Sequence, residues 1–207
     1  MSILHLSIGE SLKEAIKSNN TILLASGRHK GGVTITRDIK IIGEIGAVIE
    51  GDGTANPTIC IAEDGIEVTL SGISIEKGAA EFGSGVLIDA YAEVTIDGCR
   101  FKDNFKGSGG GVGIGILLGN AKLKDCRFEQ EQDAFVSNIG EASFVNCAIL
   151  GGMSAYDGAQ VYCNGGEIQG KISMRGSSSR KPTVSIDGTS VDGIENHRLY
   201  PGQLIHI

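Results

Sequence analysis

The densest run of chemically capable side chains is Arg127-Phe128-Glu129-Gln130-Glu131-Gln132-Asp133, with Lys102-Asp103 as a second charged pair. The carboxylates Glu129, Glu131 and Asp133 alternate, so they share a face only if one strand continues through all three. The stretch is expected to turn, which makes solvated loop charge its plain reading. Acid–base cleavage of a glycosidic bond needs two carboxyl groups about 5 to 9.5 Å apart, and Glu63, Asp64 and Asp89 offer candidates by number. Five cysteines, Cys60, Cys99, Cys126, Cys147 and Cys163, include no CxxC pair and read as reduced thiols. The four histidines, His5, His29, His197 and His206, lie near the two ends and are expected as surface or capping residues. The glycine run over residues 107–115 matches G-x-G-x-x-G in no full register and precedes Ile116-Leu117-Leu118. It reads as an inter-turn loop rather than a phosphate cradle. Ser177-Ser178-Ser179 reads as a second loop.

Composition narrows what could position these groups. The chain has 207 residues, 32 Gly, 3 Pro and no Trp, with 41% hydrophobic and 21% charged residues. Glycine at that density opposes a helical bundle, because each costs a helix about 1 kcal/mol. The apolar content opposes disorder, and no apolar run approaches the roughly 18 residues of a membrane span. A net charge of −7 argues against nucleic acid or an anionic membrane as partner. The first nine residues lack the features of a signal peptide, so a cytoplasmic location is expected.

A repeat organises the chain. Val68-Thr69-Leu70-Ser71-Gly72-Ile73-Ser74-Ile75 aligns with Val94-Thr95-Ile96-Asp97-Gly98-Cys99-Arg100-Phe101, and four more copies begin at Ala121, Ala142, Val161 and Val184. One column reads Gly72, Gly98, Asp125, Asn146, Gly165, Gly188. These types tolerate the left-handed conformation of a one-residue bend. Two residues earlier stand Leu70, Ile96, Leu123, Phe144, Cys163 and Ile186; three residues later stand Ile75, Phe101, Phe128, Ile149, Ile168 and Val191. Both columns are expected to point inward. The position after the bend, Ile73, Cys99, Cys126, Cys147, Gly166, Thr189, is small or apolar and expected inward as well, which makes the three cysteines a buried ladder. Outside, Glu76, Lys102 and Glu129 form one column, and Asp97 and Lys124 lie in another, expected to make cross-turn ion pairs.

Short alternating strands, left-handed corners and a period of about 20 to 27 residues describe a solenoid turn. Over roughly residues 20–195 these columns resemble a right-handed parallel β-helix of the pectin-lyase-like superfamily, and the Gly/Asp/Asn corner resembles that family's asparagine-ladder turn. The resemblance implies an all-β, single-stranded right-handed parallel β-helix of about six to seven turns. Residues 1–20 are expected to form a helical cap, with Ser7-x-x-Glu10 as capping box and Asn19-Asn20 as stop; residues 21–195 form the β-helix and 196–207 a capping tail. The resemblance also suggests polysaccharide lyase chemistry, in which Glu129, Glu131 and Asp133 would hold Ca²⁺ with Arg100 or Arg127 as the cation. The polygalacturonase-like branch carries N-x-D, D-D, G-H-G and R-x-K motifs. Of these only R-x-K occurs, for instance as Arg28-His29-Lys30 beside the cap.

One stretch departs from the charged exterior. Val145, Ala148 and Leu150 stand where other copies carry Asp97, Lys124, Arg100, Arg127 and Glu129, with Met153 and Tyr156 nearby. Such an apolar patch marks a contact surface, or a place that a loop covers. The reading is a non-catalytic module for protein or polymer binding, with Val145, Leu150, Met153 and Tyr156 as its binding residues and no cofactor or metal. The alternatives are a Ca²⁺-dependent lyase acting on acidic glycans, with Arg127, Glu129, Glu131 and Asp133 as its catalytic candidates, and an effector exported without a signal.

Overall fold

The structure is a computed structural model that describes residues 3–54, 56–80, 85–104, 112–129, 132–136, 139–196 and 202–206. Parallel strands wind into a β-solenoid of about seven turns. The first face is a ten-stranded sheet, Leu4–Leu6, Thr21–Leu24, Ile39–Gly43, Glu67–Ser71, Glu93–Asp97, Asn120–Lys124, Glu141–Val145, Gln160–Asn164, Thr183–Asp187 and Gln203–His206. The second face runs through Gly27–Lys30, Ala47–Glu50, Ser74–Glu76, Arg100–Lys102, Arg127–Glu129 and Ala148–Ile149. The third runs through Val33–Ile35, Ile59–Ile61, Val86–Ile88, Val112–Ile116, Gln132–Val136 and Met153–Tyr156. One long strand, Glu167–Arg175, joins the two by pairing with Ala148–Ile149 at its start and with Met153–Tyr156 at its end.

Register follows the repeat. Leu70, Ile96, Leu123, Phe144, Cys163 and Ile186 pair in sequence along the first face and are buried. The bend residues Gly72, Gly98, Asp125, Asn146, Gly165 and Gly188 all take positive φ, between 51° and 65°. That geometry turns the chain from first to second face without a loop. Ile75, Phe101, Phe128, Ile149 and Ile168 are buried on the second face, and Val191 packs half-buried against the core. Phe101 and Phe128 stack with centroids 4.3 Å apart and planes 2° from parallel, and Phe128 meets Phe144 edge-on at 6.3 Å. The stack follows from in-register aromatic side chains one strand spacing apart.

The cap differs from expectation in its start. Ser7 and Glu10 close a turn, with the Ser7 N–H donating to Glu10 Oε2 at 2.6 Å. The helix spans Leu12–Ser18, and its N-cap is Ser11, whose Oγ accepts from the Glu14 N–H at 3.3 Å. Both serines satisfy S-x-x-E, but Leu12, Ala15 and Ile16 then face the first turn only from the later start. Strand Leu4–Leu6 precedes the helix and already pairs with Thr21–Leu24.

Cys99, Cys126 and Cys147 are buried in one column and Cys163 in another, whereas Cys60 is half-buried on the outside of the third face. Burial pushes the Cys99 thiol up to about 11 and Cys163 up to about 12. A hydrogen bond with Cys147, together with burial, pushes Cys126 up as well. Thiolate, not thiol, attacks a disulfide reagent. Burial and the nearby Asp89 carboxylate raise the Cys60 thiol too, so access rather than acidity sets the order: in the native protein, titration with an aromatic disulfide should release one equivalent first, from half-buried Cys60, and the remaining four, which are buried, only on unfolding. Two or more fast equivalents would contradict the buried ladder.

Candidate functional site

The second face positions the charged candidates. Its outward residues read Arg28, Val48, Ser74, Arg100, Arg127, Ala148 in one column and Lys30, Glu50, Glu76, Lys102, Glu129 in the next. Two clusters form along it. Arg28 Nη1 lies 3.0 Å from Glu50 Oε1 and 3.0 Å from Glu76 Oε2, while Lys77 pairs with Glu50 and Ser74 Oγ donates to Glu76 at 2.9 Å. Further along, Arg100 Nε and Nη2 both reach Glu129 Oε2, at 2.9 and 2.5 Å, and Arg127 Nε reaches Glu129 Oε1 at 2.5 Å. Both guanidiniums, Arg100 first, hold the Glu129 carboxyl below the usual carboxylate range.

The cross-turn pairs were expected within the column Glu76, Lys102, Glu129. They run diagonally instead, from an arginine in one column to a carboxylate in the next: Arg28 to Glu50 one turn on and Glu76 two turns on, and Arg100 to Glu129 one turn on, while Arg127 meets Glu129 within its own strand. Lys102 turns to its chain neighbour Asp103 at 3.7 Å. Asp103 occupies a second positive-φ corner, and the following Asn104 is buried. Asn104 accepts from the Gly78 N–H at 3.1 Å and donates to the Ile75 carbonyl at 2.9 Å, binding its turn to the one before. The sequence reading passed over Asn104; its signal was an amide directly after a strand and a charged bend.

The calcium candidates divide. Arg127 and Glu129 sit together, Asp133 belongs to strand Gln132–Val136, and Glu131 lies outside the described residues. Arg127–Glu129 and Gln132–Val136 lie on different faces. Glu129 and Asp133 therefore do not share a strand face. Among the described residues no group of three His, Cys, Asp or Glu side chains is placed to hold a metal ion.

The apolar candidates divide as well. Val145 faces outward on the first face, half-buried, and Ala148 and Leu150 lie half-buried around the Asn146 corner. Met153 is corrected: it pairs with Ala134 and Ile172 on inward positions, is 1% exposed and belongs to the core. Tyr156, half-buried, ends the third-face strand and shares no face with Val145. Tyr162, unremarked in the sequence, is 41% exposed on the first face. It pairs with Ser143, which makes it a diagonal neighbour of Val145. His29 is also corrected: it points inward at the first turn and is 2% exposed.

Compared as a sequence, the chain matches no protein-family model and no curated protein. As a structure, it resembles the deglycosylated pectin methylesterase from Aspergillus niger, with TM-score 0.58 and 14% identity over 92% of this chain and 85% of that one. It also resembles the pectin methylesterase from carrot, with TM-score 0.53 and 8% identity over 99% and 88%. The fold is the pectin-lyase-like right-handed β-helix. The pectin-lyase-like fold thus spans nearly the whole chain, and identities this low carry the architecture alone. No helix is long and apolar enough to cross a membrane, among the described residues.

Proposed function

We propose that this chain is a non-catalytic β-helix module, cytoplasmic in location, that binds a protein or an extended polymer along the side of its solenoid. The observation that carries the reading is a change of surface at one turn. Along the register, Lys124 gives way to Val145 on the first face and Arg127 to Ala148 on the second. Exposed Tyr162 stands diagonal to Val145, and Leu150 continues the apolar strip around the corner. Aromatic and aliphatic anchors beside polar surroundings are what a contact core requires. The carboxylates of the second face, meanwhile, are engaged by arginines. An ionised Glu129 held below its normal range is a poor proton donor near neutral pH.

Val145→Asp or Leu150→Asp should weaken capture of the partner at least about tenfold, since a buried interface charge costs more than 1.4 kcal/mol. Glu129→Ala should leave capture unchanged. Unchanged capture by both aspartate variants would sink the reading.

The lyase alternative draws support from the exposed Arg100 and Arg127 guanidiniums and from the likeness to pectin methylesterases. A thermal-shift screen with uronate and neutral oligosaccharides separates the two. A Ca²⁺-dependent rise with a uronate, about 2.7 kcal/mol at a hundred times the dissociation constant and lost in Glu129→Ala, would favour the lyase. No shift with any sugar leaves the protein-binding module.

A further inference from the structure

Both ends of the first face are open strand edges among the described residues. Leu4–Leu6 begins that sheet and Gln203–His206 closes it, each paired in parallel on one side only. The helix Leu12–Ser18 covers the core of the first turn but leaves the outer edge of Leu4–Leu6 without a strand. Among the described residues no helix covers the last turn, where Val191 and Leu204 are half-buried and Ile194 is exposed. An open edge offers its N–H and C=O groups to a further strand, and proteins ordinarily block it with charge, proline or a bulge. Neither Leu4–Leu6 nor Gln203–His206 carries Lys, Arg, Asp, Glu or Pro.

Register matches the two ends to each other. Ile205 pairs with Ser185, and this outward column runs back through Tyr162, Lys122 and Lys40 to Thr21. The pairing of Leu4 with Ile22 places Ile3 beside Thr21. Ile3 and Ile205, 53% and 37% exposed, thus stand at opposite ends of one column that is largely polar between them. By the same register Leu4 begins the inward column that His206 ends. Charge favours the same match. On the cap Lys13 and Lys17 balance Glu10 and Glu14, whereas the last turn bears Asp192 and Glu195, of which Glu195 reaches Lys171 at 3.9 Å. Cap against last turn sets a balanced surface on an acidic one, while two last turns would set acid on acid.

We propose that copies of this chain stack head to tail, with Gln203–His206 of one copy pairing in parallel with Leu4–Leu6 of the next and Ile205 beside Ile3. Such a contact is heterologous and does not close, so it builds a filament. Ten first-face strands about 4.8 Å apart give it an axial repeat of roughly 48 Å. The contact uses none of Val145, Leu150 and Tyr162, so each copy keeps its lateral strip exposed and the filament multiplies it.

The test uses the full chain. Sedimentation over a concentration series should show a mass that rises past the dimer, and electron microscopy should show filaments one solenoid wide with that repeat. Ile205→Lys should weaken association at least about tenfold, because it buries an unpaired ammonium at the junction, and Ile3→Lys should match it. Tyr91→Lys, at a 53% exposed residue just before the mid-solenoid strand Glu93–Asp97, should change nothing. Mixed Ile3→Cys and Ile205→Cys proteins should join by a disulfide on mild oxidation, beyond the level of the unaltered protein, since parallel neighbours stand within reach of one. Neither cysteine variant should join to itself. A single-chain mass at every concentration overturns the proposal, as does a mass that stops at two chains or an Ile205→Cys protein that joins only to itself. Growth undiminished in both lysine variants overturns it too. Should a lysine variant fail to fold, the mixed cysteine proteins decide.

Discussion

Cys126→Arg should leave no folded protein at physiological temperature. Cys126 is 2% exposed, between Cys99 on one turn and Cys147 on the next, and its Sγ lies 3.3 and 3.5 Å from the carbonyls of Lys124 and Ile96. Strands stack about 4.8 Å apart on both sides, which leaves an arginine no route to solvent between turns. An unpaired buried charge of this kind costs about 3–5 kcal/mol, on top of overpacking worth about 1–3 kcal/mol. Small domains hold about 5–15 kcal/mol in total. The expected outcome is insoluble protein, or a melting temperature lower by more than about 10 °C by circular dichroism. Cys126→Ala, which removes only the sulfur, should cost about 1–2 kcal/mol and stay folded. A soluble Cys126→Arg with unchanged melting would refute the inward column and its register together.

Gly170→Ala should be nearly as damaging for a different reason. Gly170 lies within strand Glu167–Arg175, where second and third faces run together. A Cβ there would sit 1.1 Å from the Gly151 carbonyl oxygen and 2.2 Å from its carbon. These are backbone atoms, so no side chain can swing aside and the two turns must part. A loss of about 2–4 kcal/mol and a fall of about 5–15 °C in melting temperature are expected. Gly193→Ala, on the adjoining strand, meets only the Lys171 Cγ at 3.6 Å and is the matched control. Equal melting of the two variants would mean that the long strand does not approach Gly151 so closely.

The architecture was legible because a one-residue corner accepts so few side chains. Gly72, Gly98, Asp125, Asn146, Gly165 and Gly188 announced the bend, and once it was placed the two-residue period set the inward columns on either side. That inference does not survive a loop, because alternation restarts in a phase that only register determines. Met153 lies beyond such a break, on the third face, and points opposite to its expected side. Ion pairing was legible as chemistry but not as geometry. The arginines reach diagonally because a guanidinium on a long stem spans to the next turn more easily than its shorter in-column neighbour. His29 looked like a surface residue because nothing in its sequence neighbourhood reveals that residues 8–13 close over the first turn.

The hydrogen bonds of all three faces run along the solenoid axis, from each turn to the next. Tension applied between the two ends therefore loads them one turn at a time, as an unzipping, and never many at once, as a shear. Successive first-face partners such as Glu67 and Glu93, or Glu141 and Gln160, are 26 and 19 residues apart (93 − 67 and 160 − 141). Each peeled turn would pay out roughly 60 to 90 Å of slack chain. The molecule is built to yield to a pull in small increments from its ends while its sides keep their shape.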